Sequence, residues 1–107
     1  MNIQPIIADF KREIKKIYRK QLDKIILYGS WARGTAANES DIDLMVVLKG
    51  EISPGREIDR MIDCITDLNL KYDTLISVVP VSSENYTNLD NPLLLNVKRE
   101  GIAVNGR

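Results

Sequence analysis

The residues that decide the fold of this chain read Leu27-Tyr28-Gly29-Ser30-Trp31-Ala32-Arg33-Gly34 and, shortly afterwards, Ser40-Asp41-Ile42-Asp43-Leu44. An apolar run over 25–28 ends at Gly29, which is typical of a buried strand that leads into a tight turn. Residues 30–34 then predict a short helical turn that is closed by a glycine. The first stretch therefore predicts a strand, a glycine turn and the beginning of a helix.

A second apolar run, over 42–48, lies beyond a small polar loop predicted for 35–40. It is apolar at both odd and even positions, which predicts a central strand that is covered on both faces. The connection between the two runs is shorter than the dozen or more residues that a parallel crossover needs. We therefore expect these two strands to run antiparallel.

Upstream of this hairpin, apolar residues recur at helical spacing and predict an amphipathic helix over 5–21, with Pro5 in its first turn. The polar face of that helix is basic and carries Lys11, Arg12, Lys15, Lys16, Arg19 and Lys20. Such a face is usually solvated, but it can also meet an acidic partner or weakly attract RNA.

Downstream of the hairpin, Ser53-Pro54 predicts the start of a helix that leads to a third strand over 74–79. Because a helix separates them, the second and third strands are predicted to be parallel, with a right-handed crossover. Another helix is predicted between Asn91 and Gly101, and an edge strand over 102–104. The element order indicates an α/β domain of the α+β type, with a small mixed β-sheet and flanking helices.

The composition is that of an ordinary globular protein, with 44% hydrophobic and 28% charged residues, and the length of 107 predicts a single domain over 1–107. Lys and Arg balance Asp and Glu at 15 each, so no direct nucleic-acid binding is expected. The absence of histidine excludes a histidine base, a histidine zinc ligand and a Ser–His triad. Carboxylates and hydroxyls must then carry any chemistry.

Cysteine content and hydropathy bear on location. Cys64 is the single cysteine, so no internal disulfide forms, in agreement with a reducing compartment. No apolar run approaches the length of a membrane span, and the N-terminal residues lack a signal-peptide core. We therefore expect a cytoplasmic protein without a membrane partner.

Three carboxylates are predicted to meet at one edge of the sheet. Asp41 and Asp43 begin the second strand and, being two residues apart, point to the same face. Asp73 is predicted at the start of the third strand, which begins at the same edge. Gly29 and Ser30 end the first strand, which runs the opposite way and so arrives at that edge too.

Carboxylates that are packed together repel one another unless a cation joins them. Hard oxygen ligands suit Mg²⁺, and two ions are predicted because a pair can clamp the attacking and leaving oxygens of an in-line displacement at phosphorus. The turn after Gly29 offers backbone N–H groups to an anion, and the Ser30 hydroxyl can add a hydrogen bond. The pattern therefore indicates a magnesium-dependent displacement at phosphorus.

The two quoted stretches resemble the signature of the minimal nucleotidyltransferases of the polymerase-beta superfamily. The resemblance covers nearly the whole chain and implies the nucleotidyltransferase fold. It also implies that Gly29 and Ser30 hold the triphosphate of the nucleotide, and that Asp41 and Asp43 bind the metal ions.

Two further residues match the pattern of that family. Asp73, in the run 72–75, matches the third carboxylate, which in the family completes the metal site and helps to deprotonate the acceptor hydroxyl. Arg33 matches the family's arginine, which implies a contact with phosphate. Structural roles stay open beside these: plain strand-end carboxylates, a turn cap for Ser30 and a surface salt bridge for Arg33.

A small chain of this kind also resembles the antitoxin of HEPN–MNT toxin–antitoxin modules. Larger relatives add a helical or substrate domain, whereas this chain stops soon after the core. Members of the antitoxin group are thought to neutralise a HEPN ribonuclease by adenylylating a tyrosine on it. The resemblance implies ATP as substrate, a type VII-like antitoxin role, and a HEPN-type toxin as the partner in a hetero-oligomer.

Two alternatives stand beside this interpretation. One is a non-catalytic antitoxin that masks its toxin by binding, with a vestigial nucleotidyl site. The other is a small-molecule nucleotidyltransferase that modifies antibiotics and works as an oligomer. The intact carboxylate set of Asp41, Asp43 and Asp73 favours the catalytic interpretation over the masking antitoxin, because loss of one aspartate is the change expected of a dead site.

Overall fold

The computed structural model describes residues 1–104, so the last three residues of the predicted domain lie outside the described part. The helices are α1 Gln4–Tyr18, α2 Ser30–Arg33, α3 Pro54–Tyr72, α4 Ser83–Asn88 and α5 Pro92–Glu100, with a 3-10 turn at Arg19–Gln21. The strands are β1 Leu22–Tyr28, β2 Ile42–Leu48, β3 Ile76–Ser82 and β4 Ile102–Ala103.

The four strands form one mixed sheet in the order β3-β2-β1-β4. β1 pairs with β2 antiparallel, and β2 pairs with β3 in parallel, as the connection lengths predict. The short strand β4 pairs antiparallel with the outer side of β1. The predicted fold class, a mixed sheet with flanking helices, is confirmed.

Helices cover both faces of the sheet, which explains why β2 is apolar at every position from Leu44 to Leu48. On one face, α1 and α3 pack on Leu44, Val46 and Leu48. On the other face, Met45 and Val47 meet Leu94 and Val97 of α5. These strand residues are fully buried, so the prediction of a central strand covered on both sides is confirmed.

A buried polar link joins α1 to α3. Glu57 is only 5% exposed, and its carboxylate accepts a hydrogen bond of 2.9 Å from the Tyr18 hydroxyl. The Arg60 guanidinium donates to the same oxygen at 3.3 Å and lies over the Tyr18 ring. Burial and the nearby carboxylate raise the pKa of Tyr18, so the hydroxyl stays a donor.

Several predicted boundaries are wrong by a few residues. The helix predicted over 5–21 ends at Tyr18, and Arg19 adopts a left-handed φ of 52° before the 3-10 turn. Ser53 stands at the N-cap of α3, but its side chain makes no capping hydrogen bond. The third strand, predicted over 74–79, is Ile76–Ser82. The predicted edge strand is Ile102–Ala103.

The structure also contains α4, a helix that the sequence pattern did not predict. It follows β3 directly, and the Ser82 hydroxyl caps it by accepting a hydrogen bond of 3.1 Å from the Asn85 N–H. Its residues are mostly polar and none is fully buried, so no apolar stripe marks it. Among residues 1–104, no helix is long and apolar enough to cross a membrane.

Candidate active site

The candidate site lies where β1 ends and β2 begins. Within the sheet, Asp43 of β2 is the direct partner of Tyr28 on β1 and of Ser77 on β3. Asp41 precedes Asp43 by two residues and therefore lies toward the same face of the sheet. Asp43 is partly buried, whereas Asp41 is exposed.

Gly29 makes the close approach of Asp43 to the turn possible. Its backbone has a φ of 75°, a conformation that favours glycine. A β-carbon at this position would overlap Oδ2 of Asp43 and would lie 3.1 Å from its Cγ. The carboxylate of Asp43 therefore lies directly against the backbone of the turn, and only glycine leaves room for it.

The short helix α2 starts from this same turn. The Gly29 carbonyl accepts hydrogen bonds of 3.1 Å from the N–H groups of Ala32 and Arg33. Gly34 ends the helix in the left-handed conformation, as the sequence predicts. The first N–H groups of a helix have no acceptor within it, so those of the turn that begins at Ser30 are suited to an anion.

The loop between α2 and β2 is held in place around Ser40. The indole N–H of Trp31 donates to the Ser40 carbonyl at 3.1 Å, and the Trp31 ring packs on the core. The Ala37 N–H donates to the Ser40 hydroxyl at 2.9 Å, and the Ser40 N–H donates back to the Ala37 carbonyl. These bonds hold Ser40, the residue that precedes Asp41, in place.

The electrostatics of the site favour a bound cation. Burial, and next the negative charge of Asp41, raise the pKa of Asp43, while the positive charge of Arg33 acts in the opposite direction. Burial and the charge of Asp43 also raise the pKa of the Tyr28 hydroxyl. A cation bound beside Asp43 would stabilise the ionised form of this carboxylate, which burial and the charge of Asp41 disfavour.

Arg33 lies at the end of α2 and makes the salt bridge that the sequence left open. Its Nη1 is 3.3 Å from Oε2 of Glu100 on α5, and both side chains are partly exposed. Arg33 is nevertheless close enough to Asp43 to lower the pKa of that carboxyl. The predicted contact of Arg33 with phosphate stays a prediction.

Asp73 does not lie where it was predicted. It is the C-cap of α3, with a left-handed φ of 49°, and β3 begins only at Ile76. The Asn69 side chain bridges this turn by accepting from the Ile76 N–H at 2.9 Å. In the described part of the chain, no three acidic or cysteine side chains are grouped so that they could hold a metal ion. The predicted placement of Asp73 at the start of the third strand is therefore wrong, and its role as a metal ligand stays a prediction.

Comparison with known proteins identifies the family. Residues 12–105 match the family described as "Polymerase beta, Nucleotidyltransferase". The chain belongs to this nucleotidyltransferase family. A proposed protein adenylyltransferase of Methanocaldococcus jannaschii, MJ0141, is 40% identical over 79 residues, which is 74% of this chain and 79% of the relative. A second one from the same organism, MJ0604, is 38% identical over 91 residues, or 85% of each chain.

Solved structures share the fold of this nucleotidyltransferase at low sequence identity. A chain of a toxin–antitoxin complex with AMP-PNP superposes with a TM-score of 0.64 and 19% identity, over 92% of this chain and 73% of that one. A proposed minimal nucleotidyltransferase superposes with a TM-score of 0.60 and 22% identity, over 95% of each chain. A complex of a tri-AMPylated HEPN toxin with an MNT antitoxin, from Shewanella oneidensis, gives a TM-score of 0.55 at 18% identity, over 94% and 73%.

In this nucleotidyltransferase, Ser77 is the residue of β3 that faces Asp43. The two are direct partners in the parallel pairing, so their side chains share one face of the sheet. Ser77 is exposed. Sequence reasoning missed this residue because it started the third strand two residues early and took Asp73 as the neighbour.

The pair of Asp41 and Asp43 fits a magnesium ion. Mg²⁺ is usually held by one or two carboxylates together with substrate phosphates, rather than by a complete protein cage. The nucleotidyltransferase offers such a pair beside a turn that is suited to phosphate. The donor set therefore agrees with magnesium that arrives together with a nucleotide.

Proposed function

We propose that this nucleotidyltransferase transfers AMP from ATP to a hydroxyl of a partner protein, a tyrosine of a HEPN-type toxin, and so acts as an antitoxin. Two relatives that cover most of this chain are proposed protein adenylyltransferases. Chains of two toxin–antitoxin complexes share its fold. One complex contains AMP-PNP, and the other contains an AMPylated HEPN toxin. The proposal places the reaction in the cytoplasm, where ATP and Mg²⁺ are supplied.

One observation carries the proposal: the carboxylate of Asp43 lies against Gly29, where α2 begins. A carboxylate that binds cations and a turn that binds anions are thereby brought to the same point. A nucleotide that binds together with a metal ion would need both, because the carboxylates would hold the ion and the turn would bind phosphate oxygens.

Each residue has a defined part in the proposed reaction. The first N–H groups of α2 and the Ser30 hydroxyl bind phosphate oxygens of ATP. Asp41 and Asp43 would hold two Mg²⁺ ions, which supply charge neutralisation at the phosphates. Arg33 contacts phosphate on leaving Glu100. Asp73 has no part in this proposal, because the α3 cap removes it from the strand.

The chemistry is a displacement at the α-phosphorus of ATP. The acceptor oxygen forms a bond to this phosphorus, the bond to the bridging oxygen breaks, and pyrophosphate leaves with the electron pair. The acceptor loses its proton to solvent or to the partner protein, since the hydroxyl of Ser77, and no carboxylate, faces Asp43 from β3.

The proposal is tested by intact-mass analysis of the protein together with the HEPN protein encoded beside it, mixed with ATP and Mg²⁺, with and without EDTA. The expected result is that the HEPN protein gains one or more adenylate masses and that EDTA abolishes the gain. Peptide mapping then identifies the acceptor. A stable complex without any mass gain would instead support the masking antitoxin, and adenylylation of an aminoglycoside by the protein alone would support the small-molecule enzyme.

A further inference from the structure

A groove of about 800 Å³ lies between the basic face of α1 and the first half of β1, away from the candidate active site. It begins near Leu22, whereas Gly29 lies at the other end of the same strand. At about 3.3 Å per strand residue, the two places are roughly 20 Å apart. The groove is therefore not a part of the nucleotide site.

Cations of α1 and of the 3-10 turn that follows it line the groove, and they differ from the cations of α1 that lie outside the groove. Arg12 and Lys16 lie outside the groove and are ion-paired with carboxylates of α1 itself. Lys15, Arg19 and Lys20 line the groove and take part in none of the ion pairs that residues 1–104 form. The positive charges of Lys15, Arg19 and Lys20 are therefore not offset by an ion pair within residues 1–104.

The remaining charged residues of the lining are engaged by neighbours. Asp23 is the acidic residue of the lining, and its carboxylate accepts a hydrogen bond of 2.8 Å from the Ser83 hydroxyl. The ammonium of Lys24 lies 4.9 Å from the centre of the Tyr86 ring. The single carboxylate of the lining thus accepts a hydrogen bond from another side chain, and the cations of α1 and of the 3-10 turn outnumber it.

The rest of the lining is apolar and includes an open strand edge. Leu22, Ile25, Ala103 and Val104 contribute this surface. β4 pairs only with Ile26 and Leu27, and the Val104 N–H donates to the Ile25 carbonyl. Within the part of the chain that the structure describes, the first residues of β1 have no strand neighbour on this side.

We propose that this groove is a docking surface for an acidic, partly apolar segment of a partner protein. Lys15, Arg19 and Lys20, which make no ion pair within residues 1–104, match carboxylates, and the apolar lining matches aliphatic side chains. RNA fits less well, because the lining has no aromatic residue on which a base could stack. The inference goes beyond the proposed function, since binding at the groove requires neither ATP nor transfer.

The test is fluorescence anisotropy with a labelled peptide of alternating Glu and Leu, measured without nucleotide or metal. The groove variant carries Lys15→Glu and Lys20→Glu. The control variant carries Arg56→Glu and Arg99→Glu, which change the net charge equally at exposed sites outside the groove lining. We expect the groove variant to bind about tenfold more weakly and the control variant to bind within about twofold of the unchanged protein. Added salt should weaken binding to the unchanged protein.

A variant with the neutral substitutions Lys15→Gln and Lys20→Gln should show an intermediate loss of peptide affinity. It keeps the test valid if charge reversal unfolds the protein. The proposal is overturned if the unchanged protein does not bind the peptide. It is equally overturned if the groove variant and the control variant lose the same amount of binding. It is also overturned if single-stranded RNA of equal charge binds the groove more tightly than the peptide does. Asp43→Asn should bind the peptide normally, which separates docking from catalysis.

Discussion

The carboxylate of Asp43 occupies the space that a side chain at position 29 would need, so the glycine of the turn and the aspartate of β2 form one unit. The turn cannot gain a β-carbon unless the carboxylate moves. The carboxylate in turn owes its position beside the start of α2 to the absence of that β-carbon. This relationship makes the site sensitive to very small changes of volume.

Gly29→Ala should therefore abolish nucleotidyl transfer and destabilise the fold by about 1–3 kcal/mol, through overlap with Asp43 and strain at positive φ. Gly34→Ala is the matched control, because Gly34 also has positive φ but has nothing within 4 Å of its added β-carbon. For Gly34→Ala, urea unfolding should show a loss of unfolding free energy of about 1 kcal/mol, from backbone strain alone. Transfer assays should show that this control keeps its activity. Full activity of Gly29→Ala would contradict the geometry of the site.

Asp43→Asn should raise the melting temperature of the metal-free protein at neutral pH while abolishing transfer. Burial and Asp41 raise the pKa of Asp43 in the fold, so ionisation of this group opposes folding. The free-energy cost that ionised Asp43 imposes on folding is absent below the ordinary carboxyl pKa of 3.8. It grows as pH rises through the raised pKa that this group has in the folded protein. Calorimetry should therefore show a gain of roughly a few degrees at pH 7 and little change at pH 3. Asp63→Asn, at an exposed position of α3, serves as the control. A similar gain in melting temperature in that variant would contradict the explanation by unfavourable ionisation of Asp43.

Asp73→Asn should leave transfer close to that of the unchanged protein, whereas Asp41→Asn should reduce it by about a hundredfold or more. The reason is that Asp73 caps α3 in a left-handed conformation, which asparagine also tolerates. Initial rates at saturating ATP and Mg²⁺ decide the question. A loss in Asp73→Asn as large as that in Asp41→Asn would restore the third-carboxylate role that the sequence predicted.

Ser77→Asp should create a third acidic ligand beside Asp43, because the two positions are direct partners across β2 and β3. We expect Mn²⁺, used as a probe for Mg²⁺, to bind about tenfold more tightly in titration calorimetry without nucleotide. The metal-free variant should melt at a lower temperature, since a third carboxylate adds repulsion. Ser77→Asn, which adds similar volume without charge, should change neither property. Unchanged Mn²⁺ affinity in Ser77→Asp would mean that position 77 does not face the metal site.

Glu57→Ala should destabilise the protein by about 2–4 kcal/mol, because it leaves the buried Tyr18 hydroxyl without its acceptor and the Arg60 guanidinium without its partner. Glu57→Gln keeps an acceptor oxygen and should cost less. Urea unfolding gives both values, and transfer measured well below the melting temperature should be unchanged in both variants. Equal stability of the two variants would show that the hydrogen bond to Tyr18 contributes little.

The position of Asp41 and Asp43 at the start of β2 was predictable because a strongly apolar run fixes where that strand begins, and alternation along a strand then fixes the face. The position of Asp73 was not predictable in the same way. α3 continues through Leu70 and Tyr72 without a glycine or proline to end it, and a left-handed cap at a residue other than glycine leaves no pattern in the sequence. Because β3 begins two residues later than predicted, Ser77, and not Asp73, is the neighbour of Asp43. The short helix α4 was missed because its residues are polar and its cap is a single serine.

The strand order β3-β2-β1-β4 matters while the chain is being made on a ribosome. β1 and β2 can pair as soon as residue 48 has emerged, but Ile102 and Ala103 must still be synthesised before β1 gains its second neighbour. At 5–20 residues per second this interval lasts roughly 3–10 s. During that time the backbone of Ile26 and Leu27 is available to other strands, and Arg33 lacks Glu100. The nascent chain is therefore most exposed to mispairing before it acquires its final strand.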